Sequence, residues 1–325
     1  MSGAFVLGVA ALGMYLTFAT RASTASPGIE AESGTRSSAV NLINDTTASG
    51  DQAVKFSAGA QASTDVCSTY PALPSSKPDA TNTGVPAGTT LTTSGALTIT
   101  TDGTVVNAKN LTGIIYIEAN DVTIENSNIN VTDTYYGIHI QDGVTGTKIL
   151  HNTIYTASGG YEGILGSDVT ICGNYIRGFE NPITAGGNTI IQANFIEKLQ
   201  SNQSGPHYDG IEVYSGNNNQ IWGNNIKMTD STGAWITETG AINVTGTWSS
   251  IDNTTINGNW LGGGSYTLNL DDSQGYAVTN LKVTNNVFYG SAPKGYAGYG
   301  VNRDSSIPTE WTGNTWSDTG QTVSD

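Results

Sequence analysis

The sequence predicts an all-β fold, a single-stranded right-handed parallel β-helix of about nine to ten coils, and three observations carry that expectation. A motif of the form apolar-x-x-Asn-x-apolar recurs through residues 80–325, short apolar-x-apolar runs lie between its copies, and the composition favours turns over helices. Gly makes up 41 of 325 residues and charged residues only 12%, in a chain crowded with Thr, Asn and Ser. Such residues suit short strands broken by tight turns and are poor helix formers.

The motif runs as Ile149, Asn152, Ile154; Ile171, Asn174, Ile176; Ile191, Asn194, Ile196; and Ile221, Asn224, Ile226. It continues as Ile256, Asn259, Leu261; Val283, Asn286, Phe288; and Trp311, Asn314, Trp316. Two earlier copies, Val106, Lys109, Leu111 and Ile124, Ser127, Ile129, lack the Asn. A coil of three short strands and their turns needs roughly 20 residues, so the longer intervals predict loops inserted at one corner. Asn tolerates left-handed backbone angles and can hydrogen-bond from coil to coil, so these residues are read as corner architecture rather than catalysts.

The second pattern comprises Ile138-His139-Ile140, Ile211-Glu212-Val213, Ile242-Asn243-Val244 and Leu268-Asn269-Leu270, with weaker runs at Ile164-Leu165 and Ile183-Thr184. In a strand the two apolar flanks point inward and the middle residue outward. Stacking therefore predicts one exposed column of His139, Leu165, Thr184, Glu212, Asn243 and Asn269, spaced about 4.8 Å per coil.

Before the coils, residues 1–25 read as a signal peptide or N-terminal anchor. Ala4 to Ala19 is an apolar run, followed by small residues near Ala22 to Ala25 where a peptidase could cut. No Lys or Arg precedes the run, so the start reads as truncated, with a retained membrane anchor over 4–19 as the alternative. Either way, a secreted or extracellular location follows. Residues 26–79 read as a low-complexity lead-in, in which EAESGT at 30–35 and ASGDQAVKF at 48–56 suggest a β-sandwich remnant or a docked strand pair. Cys67 and Cys172 are too few for a disulfide scaffold and are read as separate thiols, a bond between them being the alternative.

A net charge of −15 would repel nucleic acid and anionic membranes at long range. A polyanionic glycan would need Ca²⁺ or a local basic cluster, so a neutral or cation-bridged one is easier to accommodate. No nucleotide loop, Cys/His metal cluster or serine nucleophile motif is visible, and the chain is expected to act as a monomer without a small-molecule cofactor.

The longest intervals, Asn194 to Asn224 and Asn224 to Asn259, place the largest loops beside the column. The first contains Ser204-Gly-Pro-His-Tyr-Asp-Gly-Ile-Glu-Val-Tyr214. Histidine as a residue type suits proton transfer near neutral pH, which singles out His207; Asp209 could orient it or share Ca²⁺ with Glu212, and Glu212 projects outward. These three are the candidate catalytic residues. Asp271 lies two coils on, roughly 10 Å along the face, a separation that leaves room for a water between acid and base. His139, Tyr208, Tyr214, Asn243, Asn269 and Asp271 are candidate sugar contacts, and Tyr266 and Trp248 offer further rings for stacking. Asp209 before Gly210 equally suits a turn, and His207 after Pro206 an ordered loop. His151 sits in the turn before Asn152 and reads as structural. The only Arg in the coils are Arg177 and Arg303, which leaves Lys198 as the cationic base nearest the loop.

The His-Tyr-Asp-Gly-Ile string resembles the His-x-Asp-Gly-Ile motif of secreted bacterial right-handed β-helix repeat proteins, the pectate-lyase-like superfamily. Asn82-Thr-Gly-Val-Pro-Ala-Gly-Thr-Thr-Leu91 and Gly263-Gly-Ser-Tyr-Thr-Leu268 extend the similarity over roughly residues 80 to 318. The resemblance implies the fold and a carbohydrate-active groove, with a polysaccharide lyase or hydrolase as the expected activity. The alternative is a non-catalytic glycan-binding or adhesin-like β-helix. An ice-binding solenoid ranks last, because Thr-x-Thr ladders are missing from these coils.

Overall fold

The computed structural model describes residues 40–44, 52–56, 65–133, 135–304 and 308–325. The chain divides into two compact units, 1–63 and 64–325. In the first, Val40–Asn44 and Gln52–Phe56 form an antiparallel pair with Val40 opposite Phe56, so the ASGDQAVKF string does supply a strand. The apolar run 4–19 and the cleavage region lie outside the described residues. Among the described residues no helix is long and apolar enough to cross a membrane.

The second unit is a parallel β-helix. The first apolar position of every motif copy stacks in one nine-stranded parallel sheet: Val106, Ile124, Ile149, Ile171, Ile191, Ile221, Ile256, Val283 and Trp311. The second apolar position stacks from Leu111 through Ile129, Ile154, Ile176, Ile196, Ile226, Leu261 and Phe288 to Trp316. The inward side chains of both stacks fill one continuous core, in which Ile149, Ile154, Ile176 and Ile196 are fully buried. A one-residue slip in any coil would turn this set outward, which is why the register holds through loops of very different length.

At the corner between these stacks the motif asparagines form the expected ladder and are fully buried. Asn194 is representative: its Nδ2 donates to Ile171 O and to Asn224 Oδ1, both at 2.9 Å. Its Oδ1 accepts from Asn174 N and Nδ2, also at 2.9 Å. The left-handed angle belongs to the preceding residue, not to the Asn itself. His151 (φ 53°), Gly173, Ala193, Gly223, Gly258, Asn285 and Gly313 make the turn, leaving the Asn free to aim its amide inward. His151 occupies the turn before Asn152, and its Nε2 meets Asp65 Oδ1 at 3.0 Å.

Residues 65–79, which composition places in the lead-in, are tied to the coils. Gln192 Nε2 donates to Val66 O (2.8 Å) and Thr69 O (3.1 Å), Ala72 N donates to Gln192 Oε1, and Asn225 Nδ2 donates to Pro78 O. This strap lies so close over the corner that a Cβ on Gly223 or Gly258 would collide with Pro74 or Leu73. The reading of two separate thiols is corrected here: Cys67 and Cys172 form a disulfide with their Cα atoms 5.8 Å apart. Asp65 Oδ1 accepts from Cys67 N and shapes the turn that presents the sulfur to the corner. No local pattern could announce a contact 105 residues apart in sequence.

Candidate functional site

The predicted column exists, in register, as His139, Leu165, Thr184, Glu212, Asn243 and Asn269. It extends beyond the expected members, to Tyr116 and Thr98 at one end and Arg303 at the other. The expectation of an exposed column is corrected: Thr184, Asn243 and Asn269 are only 4–8% exposed. The walls rise from the long strands Thr153–Gly166 and Tyr175–Ala185 and from the loop preceding Asp209, converting a flat stripe into a cleft of about 650 Å³.

Two carboxylates three residues apart on one strand would ordinarily face opposite sides of the sheet. In Asp209–Val213 both line the cleft, because Gly210 and Ile211 turn inward together. A Cβ on Gly210 would press against Ile226 and the Ala241 carbonyl, so glycine is what permits the double inward step. Asp-Gly-Ile-Glu is thus a device that brings Asp209 and Glu212 out on the same face.

Burial, then the Glu212 charge, pushes Asp209 well above the carboxylate range, opposed by hydrogen bonds from Asn243 and the Gly240 amide. Its Oδ1 is buried without a hydrogen-bond partner. Glu212 is raised by burial and by Glu180, while His207 favours its ionised form. Glu162 is pushed up to about 8 by burial and by the charges of Glu212 and Glu180, and its Oε2 is likewise buried without a partner. Glu180 is anchored: Oε1 accepts from His207 N at 2.8 Å and Oε2 accepts from Ser201 Oγ. With its amide turned to satisfy both ends, Asn181 donates to His207 O at 3.0 Å.

Of the residues singled out from sequence, His207, Asp209, Glu212, Asn243, Asn269 and Asp271 converge on this cleft. His207 is exposed, with its backbone held by Glu180 and Asn181. Tyr208 packs against the hydrophobic core instead of lining the cleft, and Tyr214 packs against Trp248 with ring centroids 4.5 Å apart and the planes tilted by 57°. His139 lies three tiers away, stacked on Tyr136 at 4.6 Å. Asp271 is fully buried and committed to Arg303 Nη2 (3.4 Å) and Ser273 N (2.8 Å). Lys198 pairs with Glu197 and does not line the cleft; among the described residues, the Lys or Arg that does is Arg303.

Sequence reasoning missed Glu162, Glu180 and Arg303. Register exposes them: Glu162 aligns with Asn181 one tier before Asp209, and Arg303 aligns with Asn269. The signal was the residue before each Gly-Ile or Pro-Ile pair, which recurs as Tyr136, Glu162, Asn181 and Asp209.

Asp209 and Glu212 suit Ca²⁺ by chemistry, but Ca²⁺ takes six to eight oxygens. Among the described residues, the trio of His, Cys, Asp or Glu ligand atoms gathered within 4.8 Å is Asp65, Cys67 and His151, where the cysteine sulfur is spent in the disulfide. Among the described residues, the cleft carboxylates do not form such a group.

Fold and site together define a parallel β-helix with a carboxylate-lined lateral cleft. No protein-family model, curated protein or solved structure matches the chain.

Proposed function

We propose that the chain is a secreted, pectate-lyase-like β-helix enzyme that hydrolyses an uncharged polysaccharide in the Asp209–Glu212 cleft. The observation that carries the reading is the buried, unpartnered Oδ1 of Asp209 beside the Glu212 carboxylate. A carboxyl held protonated by burial can donate to the glycosidic oxygen as the bond breaks. Glu212, the more exposed of the two, is the base that takes a proton from the attacking water; burial and the Glu180 charge raise its pKa, and the charge of His207 offsets part of that rise. Asn269, whose Nδ2 donates to Asn243 Oδ1 at 2.9 Å, presents with Asn243 a polar floor to sugar hydroxyls. The acidic surroundings of Glu162, Glu180, Asp209 and Glu212 favour a glycan without charge.

One observation favours a lyase: the Arg303 guanidinium reaches the cleft and could stabilise the anion formed when a uronate loses its α-proton. Its pairing with Asp271 weakens that role. The test is a screen of the purified chain against neutral and acidic polysaccharides, with and without Ca²⁺, following reducing ends and ultraviolet absorbance together. Reducing ends without absorbance support hydrolysis. An absorbance rise identifies elimination, and silence in both channels with retained glycan binding identifies a binding module.

A further inference from the structure

We infer that the cleft is one half of a longer groove, whose other half is an aromatic clamp of Tyr116, Tyr136 and His139 that grips an uncharged polysaccharide several sugars from the acid pair. The inference rests on the glycan reading above and deepens it.

The column changes character between Leu165 and Thr184. On one side its members are Thr184, Glu212, Asn243, Asn269 and Arg303, all polar; on the other they are Leu165, His139 and Tyr116, with Thr98 at the far end. His139 stacks on Tyr136 at 4.6 Å and meets the edge of Tyr116 at 5.8 Å. Tyr136 is aligned with Glu162 in the neighbouring column, so the clamp is continuous with the acidic half of the groove.

Unpartnered buried polar atoms mark the path between the halves. His139 Nδ1, Glu162 Oε2, Thr184 Oγ1 and Asp209 Oδ1 occupy successive tiers of the same face. Glu162, Thr184 and Asp209 are each more than nine-tenths buried, at 8%, 4% and 3% exposure. Native proteins rarely leave such groups unpaired, and a run of them on one face calls for a ligand rich in hydroxyls. Tyrosine rings supply the complementary surface for the apolar faces of sugars. The charges bearing on the clamp are those of Asp133, Asp142 and Glu162, all acidic, which disfavours a uronate there.

Tyr116 stands four tiers from Glu212, about 19 Å along the groove. One hexose is about as long as one tier, so an extended chain places one sugar per tier and reaches the clamp only at about five units.

The test is calorimetric binding to the full chain carrying Asp209→Asn, which blocks turnover, using gluco-, xylo-, manno- and galacturono-oligosaccharides of graded length. In the neutral series that binds, affinity is expected to rise about tenfold between roughly three and six units and then level off. Tyr136→Ala should abolish that gain, Tyr136→Phe should keep it, and a thermal melt establishes that both variants fold. The inference is overturned by affinity independent of length, by an equal gain in Tyr136→Ala, by tighter binding of the acidic series, or by no binding in any series. Because binding is read without turnover, a non-hydrolytic wild type would sink the enzymatic reading and leave this one standing.

Discussion

The backbone N–H of His207 donates to Glu180 Oε1 at 2.8 Å, and through this bond a buried carboxylate fixes where the loop enters the Asp209 strand. Glu180→Ala leaves that N–H and the Ser201 hydroxyl without their acceptor, at a cost of about 1–3 kcal/mol. The expected outcome is a lower denaturation midpoint together with faster proteolysis within residues 198–208. Glu180→Gln, which keeps an acceptor, should recover part of both.

Glu162 makes stability fall with rising pH. Its carboxyl ordinarily titrates near 4.5 and in the fold near 8, so between those values the folded form binds more protons than the unfolded one. Stability from this group is complete below pH 4.5 and declines as pH approaches 8; the raised Asp209 and Glu212 act in the same direction. Glu162→Gln should stabilise the protein by on the order of 2–4 kcal/mol at pH 8 and little at pH 4. Urea midpoints at the two pH values check this, and an equal shift at both would refute it.

The disulfide between Cys67 and Cys172 closes a loop of sequence separation 105. Replacing both cysteines with Ala removes a constraint on the unfolded chain worth about 4 kcal/mol in the loop-entropy account. It also frees the strap, so hydrogen exchange at Val66 to Pro78 should quicken while the coils beneath stay protected.

Position within the asparagine ladder sets the cost of losing a member. Asn194→Ala strips four hydrogen bonds from a fully buried corner and should destabilise by about 2–4 kcal/mol. Asn188 and Asn218 belong to an exposed ladder, where Asn188 donates to Asp168 at 3.1 Å. Asn188→Ala should cost under about 1 kcal/mol, because water replaces the lost partners. Similar losses at the two sites would contradict the assignment.

How far the sequence speaks depends on the range of the interaction. Ile149, Asn152 and Ile154 could be placed because the same spacing returns in coil after coil, and the apolar-x-apolar runs put His139 and Glu212 in one column. Glu162 and Glu180 were passed over because they lie in strands of 14 and 11 residues, where the pattern of short runs dissolves. Arg303 joins the site only once the register across the preceding loop is known. Cys67 meets Cys172 through a strap with no repeat of its own, and Tyr208 turns to the core although its neighbours Asp209 and His207 reach the cleft.

The central claim is that Asp209 donates and Glu212 accepts a proton during hydrolysis. The most direct test is the initial rate of reducing-end release from an uncharged polysaccharide by the wild type, Asp209→Asn and Glu212→Gln, with folding verified by denaturant midpoints. The account predicts measurable release by the wild type and a loss of at least about 100-fold in each variant. No release by the wild type, or a rate within about twofold of it in either folded variant, would contradict the account.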